Sequence, residues 1–166
     1  SNPLYYAKNL YLNGEKVIDL VIPEEVKGIW QYAFAGYESL KSVTMPKNVT
    51  RIGSYAFMGC TGLTSIEIPN SVVGIGNSAF EGCYNLKNVI LPIGLTTIKR
   101  NAFSGCSKLE NVIVPHSVTN IGYGAFSDSV KEVEWLCELS KDDMKDCFEG
   151  NSNFIFKKWT LESIYA

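Results

Sequence analysis

The residues in this chain whose types could do chemistry are five cysteines, a single histidine and a short acidic run. Cys60, Cys83 and Cys106 recur every 23 residues, and thiols held in register could ligate a metal or exchange electrons. Against this, the chain has no C-x-x-C pair, no histidine accompanies the three, and one interval earlier the position is Tyr37, which cannot stand in for a thiolate ligand. The column therefore reads as small buried apolar residues, a role that free cysteine fills well. Cys137 and Cys147 lie outside this spacing and could pair as a disulfide in an oxidising compartment.

The other constellations fare no better. A Ser/His/Asp triad would have to use His116, and Ser117, adjacent in sequence, is badly placed to be its nucleophile. His116 reads instead as a solvated residue at a strand exit. Asp142, Asp143 and Asp146 lack the glycine and terminal glutamate of a calcium loop and read as the polar face of a helix. Gly74-x-Gly76-x-x-Ala79 has the outline of a dinucleotide fingerprint, but its frame recurs one interval earlier and no long helix follows. No catalytic group, metal or cofactor is expected.

The elements that position these residues are repeats. Pro23, Pro46, Pro69, Pro92 and Pro115 are evenly spaced, as are Phe34, Phe57, Phe80, Phe103 and Phe126. Such self-similarity marks a stack of like units rather than one globular layer pair. At 166 residues, 46% hydrophobic and a formal net charge of −2, the chain suits one short array. Its charge is too balanced for a nucleic-acid binder, and no apolar run is long enough to insert in a membrane. No secretory signal is visible, and Ser1-Asn2 reads as an expression scar, so the compartment stays open.

Aligned on proline, each unit reads P-x-x-V-x-x-I-G-x-x-A-F-x-G-C-x-x-L-x-x-V-x-I. The alternation in Val43/Met45, Ile66/Ile68, Val89/Leu91 and Val112/Val114 predicts short strands with one face inward, stacked into a parallel sheet. Proline after each strand removes a donor and ends it. Val49/Ile52, Val72/Ile75, Leu95/Ile98 and Val118/Ile121 fill the opposite wall. Gly53, Gly76 and Gly122 are expected to free the backbone for a turn, with Trp30 and Lys99 breaking that column. The phenylalanines should stack as an internal ladder, in a short helical or 3₁₀ turn closed by Gly36, Gly59, Gly82 and Gly105.

The spacings Leu40-x-x-Val43-x-Met45-x-x-Asn48, Leu63-x-x-Ile66-x-Ile68-x-x-Ser71 and Leu109-x-x-Val112-x-Val114-x-x-Ser117 resemble the leucine-rich repeat signature. The longer V-x-x-I-G and A-F-x-G-C-x-x-L elements resemble the BspA-like subfamily of bacterial cell-surface proteins. The resemblance covers about residues 20–135. It implies an α/β repeat solenoid of leucine-rich repeat type, mostly β, with parallel strands on one curved face and short 3₁₀ or irregular turns opposite. Ser71, Gly94 and Ser117 replace Asn48 in the asparagine ladder, which is expected to be weaker and to lean on water. Asn48, in the acceptor pattern Asn48-Val49-Thr50, is expected to point into the coil, out of reach of glycosylation.

The chain divides into three segments. Residues 1–19 read as a hairpin cap, turned at Asn13-Gly14, where both residues can take positive φ. Residues 20–135 hold about five repeats, the last shortened by two residues before Val130. Residues 136–166 read as a second cap, with a short helix after Ser140 and a strand at Phe154-Ile155-Phe156, and the chain could continue from there into a longer protein.

Since folding accounts for the constant letters, function is expected in those that vary on the strand face. These are Lys41, Ser42, Thr44, Thr64, Ser65, Glu67, Lys87, Asn88, Ile90, Ile93, Glu110, Asn111 and Ile113. Solenoids present such positions as an extended surface. The reading is a non-enzymatic, monomeric module that binds a protein or extracellular-matrix ligand there. The resemblance adds adhesion and a place on, or secretion from, a bacterium. A structural spacer within a larger surface protein is the alternative.

Overall fold

The structure, a computed structural model, describes residues 9–130, 132–136, 145–148 and 155–158. It opens with a hairpin of β1 (Tyr11–Leu12) and β2 (Glu15–Lys16), turned by Asn13 and Gly14 at φ 53° and 82°. Leu10 and Val17 lean on the core from its base.

From there the chain is a parallel solenoid. One wall holds β3 (Asp19–Val21), β4 (Ser42–Thr44), β6 (Ser65–Glu67), β8 (Asn88–Ile90), β10 (Asn111–Val114), β12 (Glu132–Trp135) and β13 (Ile155–Lys158). Pairing is in register, with Ser65 opposite Asn88 and Asn111 opposite Glu132. The opposite wall is a second parallel sheet of β5 (Arg51–Ile52), β7 (Gly74–Ile75), β9 (Thr97–Ile98) and β11 (Asn120–Ile121). Ile29 bridges to Ile52 and extends it by one coil. Sequence periodicity placed apolar residues on this wall but did not show that they would be strands.

Between the walls lies an apolar core in columns. The rings Phe34, Phe57, Phe80, Phe103 and Phe126 stack at 5.2–5.5 Å between centroids. Phe148 adds a sixth, 5.7 Å from Phe126, from a 3₁₀ turn at Lys145–Phe148. With β13 paired to β12, both the ring stack and the strand ladder run one coil past the shortened fifth. The expected helix start at Ser140 to Asp143 lies outside the described residues.

The Ala-Phe segments, expected as a short helical or 3₁₀ turn, are successive tight turns. The cause is a left-handed residue just before each alanine: Tyr32, Tyr55, Ser78 and Asn101 have φ of 52–59°, and Gly124 has 62°. Left-handed backbone breaks a helix. It is held by hydrogen bonds between coils, in which alternate residues such as Tyr55, Phe57 and Gly59 donate N–H to Asn77, Ala79 and Glu81 one coil on, at 2.8 Å each. The turns thus form a third ladder.

Two expectations about small residues change. Gly53, Gly76 and Gly122 are needed for close approach rather than for turn freedom: a Cβ on Gly76 would lie 2.4 Å from the Ser54 nitrogen, and one on Gly122 2.3 Å from the Arg100 nitrogen. The ladder that replaces asparagine is made by direct bonds: Ser71 and Ser117 donate to the carbonyls of Val49 and Leu95, at 2.6 Å. Asn48 itself is exposed, donating from Nδ2 to Glu24 at 2.7 Å, because the carbonyl it reaches lies on the outer surface rather than in the coil.

Denaturant unfolding should separate these roles. Phe80→Ala is expected to cost about 3 to 5 kcal/mol and Phe34→Ala, whose ring is only partly buried, clearly less. Gly76→Ala should cost about 1 to 3 kcal/mol through overpacking. Gly74→Ala, which meets open space, should be neutral or gain up to about 1 kcal/mol. Equal effects at the two glycines would refute the close-approach account.

Candidate binding surface

The thiols come first, since they carried the strongest chemical pattern. Cys60, Cys83 and Cys106 are fully buried, and each Sγ donates to a phenylalanine carbonyl of the preceding coil: Phe34 at 3.1 Å, Phe57 at 3.2 Å and Phe80 at 3.2 Å. In the shortened fifth coil Ser129 takes the same place and donates to Phe103. The column is thus a row of hydrogen-bond donors as well as small apolar filler, which explains why serine can occupy it. Burial pushes the Cys60 and Cys106 thiols up to about 12, and Cys83 well above its ordinary value.

Among the described residues no group of three or more His, Cys, Asp or Glu side chains could hold a metal ion, and no helix is long and apolar enough to cross a membrane. His116 is exposed in the loop after β10, and Asp146 is exposed at the last turn. Cys147 is buried; Cys137, its suggested disulfide partner, lies outside the described residues, as do Asp142 and Asp143.

The residues proposed for the strand face divide by coil. Lys41, Thr44, Thr64, Ser65 and Glu67 are exposed on β4, β6 and the turns leading into them; Ser42 is half-buried and donates to the Asp19 carboxylate. Two coils further on, Lys87, Asn88, Glu110 and Asn111 line a polar depression with Ser107 and Lys108. The Lys108 ammonium donates to Asn85 Oδ1 at 2.6 Å. Beside this depression are Ile90, 67% exposed, and Ile113, 53% exposed, on the neighbouring strands β8 and β10. Ile93 follows Pro92 at 79% exposed. The structure therefore brings Ile90 and Ile113 together on adjacent strands beside a polar cluster, with Ile93 exposed in the turn after β8, while Lys41, Ser42 and Thr44 sit two coils away.

The opposite wall carries exposed residues that were not assigned a role. Trp30 is 82% exposed, Val73 is exposed, and the Arg100 guanidinium lies 5.1 Å from the centre of the Tyr123 ring. The signal in the sequence was the pair Trp30 and Lys99, which interrupt an otherwise glycine column.

From Phe57 to Phe126 each coil repeats one ring, one buried donor and two short strands, and the repetition holds at the level of sequence. The family model for the BspA type leucine rich repeat region matches residues 7–132, in six copies. The chain belongs to the BspA-type leucine-rich repeat family. This match begins within the hairpin segment. The BspA-type fold is shared with a leucine rich repeat protein of T. pallidum, at 33% identity over 85% of this chain and 69% of that one, with a TM-score of 0.75. A leucine-rich repeat protein from Bacteroides ovatus is 23% identical over 86% of this chain and 51% of its own, with a TM-score of 0.49. The pneumococcal vaccine antigen PcpA is 19% identical over 89% and 52%, with a TM-score of 0.48. The chain thus spans about half the length of these last two. No curated protein matches it by sequence.

The raised thiol values set a pH dependence. The folded state holds its thiol protons to higher pH than the unfolded chain, whose cysteines ionise near about 8.5. Stability is therefore complete below that value and falls as pH rises toward about 12. Urea midpoints should decline across this range, and peptide mapping after alkylation of the native protein at pH 8 should find Cys60, Cys83 and Cys106 unmodified. Rapid alkylation of these three in the folded protein would contradict the buried column.

Proposed function

We propose that the chain is a non-enzymatic recognition module, carried on the surface of a bacterium or secreted by it, that binds a protein or extracellular-matrix ligand as a monomer. The contact lies on the wall of β4, β6, β8 and β10. One observation carries this reading: Ile90, Ile93 and Ile113 form an exposed apolar ridge on adjacent coils, flanked by Lys87, Asn88, Glu110 and Asn111. An apolar centre with a polar, hydrogen-bonding rim is the anatomy of a protein contact. Ile90 and Ile113 stand where the repeat elsewhere places Thr44 and Glu67, and Ile93 where it places Lys47 and Asn70, so three apolar side chains replace polar ones on this face.

Family membership supports the class of function. Leucine-rich repeat chains of this type typically serve as non-catalytic scaffolds, and no group among the described residues could hold a metal ion. The place on the cell surface rests on the same membership.

The test is binding to a panel of purified, immobilised plasma and extracellular-matrix proteins. At least one should bind, and the double substitution Ile90→Lys with Ile113→Lys should weaken binding by about tenfold or more. Circular dichroism should be unchanged, because both side chains already face solvent. Undiminished binding by the double variant would overturn the ridge as the contact site. Absence of binding to the whole panel would favour a structural spacer.

A further inference from the structure

The wall opposite the isoleucine ridge carries an open trough of about 490 Å³ across β5, β7 and β9. Its floor is bare backbone at Gly53, Gly74 and Gly76, and its rim is formed by Trp30, Arg51 and Lys99. Gly53 and Gly76 can carry no side chain, since a Cβ on either would lie within 2.8 Å of the preceding coil's backbone. Gly74 has open space above it and simply leaves the trough unfilled. Trp30 and Lys99 occupy the same repeat column as the two obligate glycines, so they stand at opposite ends of the depression, three coil steps or about 14 Å apart.

We propose that this trough is a second binding site, and that its ligand is an acidic oligosaccharide bearing carboxylates on alternate rings. The exposed Trp30 ring offers a flat apolar face on which the C–H face of a pyranose can lie. Arg51 and Lys99 supply two cations, and no Asp or Glu lines the trough among the described residues. They are two coils apart along the stack, about 10 Å, which suits acidic groups on alternate rather than successive rings. Gln31, Ser54, Thr96 and Thr97 add amide and hydroxyl groups for sugar hydroxyls.

An extended acidic peptide fits less well. Such peptides gain affinity by adding a strand to an open sheet edge, and the trough lies over β7, which is already paired on both sides, to β5 and to β9. The floor therefore has no free row of amides to offer, while a ligand that stacks and hydrogen-bonds through its substituents needs none.

The experiment titrates a hyaluronan hexasaccharide into the protein, followed by calorimetry and tryptophan fluorescence. Binding in the micromolar to millimolar range is expected, with a fluorescence change that disappears in Trp30→Ala and an affinity that falls with added salt. Trp30→Ala and the double variant Arg51→Gln with Lys99→Gln should each weaken binding by about tenfold. Gly74→Glu, which fills the trough at a position with room for a side chain, should abolish it with the thermal unfolding midpoint retained. The carboxyl-reduced hexasaccharide should bind more weakly to the wild type and equally to the double variant. The Ile90→Lys, Ile113→Lys protein should bind the hexasaccharide normally, which separates this site from the ridge. No binding at millimolar hexasaccharide, binding that survives Gly74→Glu, or equal binding of a glutamate hexapeptide would each overturn the proposal.

Discussion

The hydrogen-bonded spacing between coils, about 4.8 Å at the strands, is the constraint on which the rest of the molecule depends. Three backbone ladders impose it: the strand wall, the second sheet and the alternate amides of the Ala-Phe turns. Each side-chain column must then hold residues that tolerate a near-identical neighbour at that distance. Flat rings do so by stacking slightly offset, as the near-parallel Phe57, Phe80 and Phe103 show at 5.2–5.3 Å, an arrangement the ring quadrupole favours over a direct sandwich. Where the backbones themselves close in, only glycine fits. Each phenylalanine carbonyl inside the coil already accepts a backbone N–H from three residues on, and a thiol or hydroxyl of the next coil reaches back to it as a second donor.

This explains which parts of the fold could be read from the residues. Proline and phenylalanine spacing sets the coil length, and the two-residue alternation in Val43/Met45 and its copies identifies the strand wall. Those signals are strong because each repeats in phase. The second sheet was hidden because its strands are two residues long, too short for any alternation to register. The left-handed residue before each alanine was hidden by Tyr32 and Tyr55, which do not ordinarily take positive φ, although Asn101 and Gly124 in the same column do so readily. Glycines at 53, 76 and 122 stood out as a column and were assigned to turn freedom, because pattern alone cannot tell a turn from a close approach. For the exposed residues, pattern located the wall of Ile90 and Ile113 and overlooked the trough, since neither a floor made of missing side chains nor the space above it is visible in a line of letters.

Periodicity also separates structure from recognition. Core columns are constant along the stack, so a residue that interrupts one without harm to packing is free to serve another end. Trp30 and Lys99 are such interruptions on one wall; on the other, the change from Thr44 and Glu67 to Ile90 and Ile113 falls in an outward-facing column, which packing does not fix. The two lie on opposite walls of the stack. Coupling between them would require the coils to move relative to one another, and the in-register ladders between them oppose that.

The fifth coil does with two fewer residues what the others do with 23. Ser129 supplies the buried donor and Val130 the apolar filler, both fully packed, so the loss falls entirely on the outer corner between them. The anchored columns, and not the length of the loop, define the coil's path. That corner is consequently where chain can be removed or added without shifting the register of the next strand. The corresponding bends at Ser107-Lys108 and Tyr84-Asn85, beside the polar depression of the strand wall, are natural sites for grafting a peptide loop onto this scaffold.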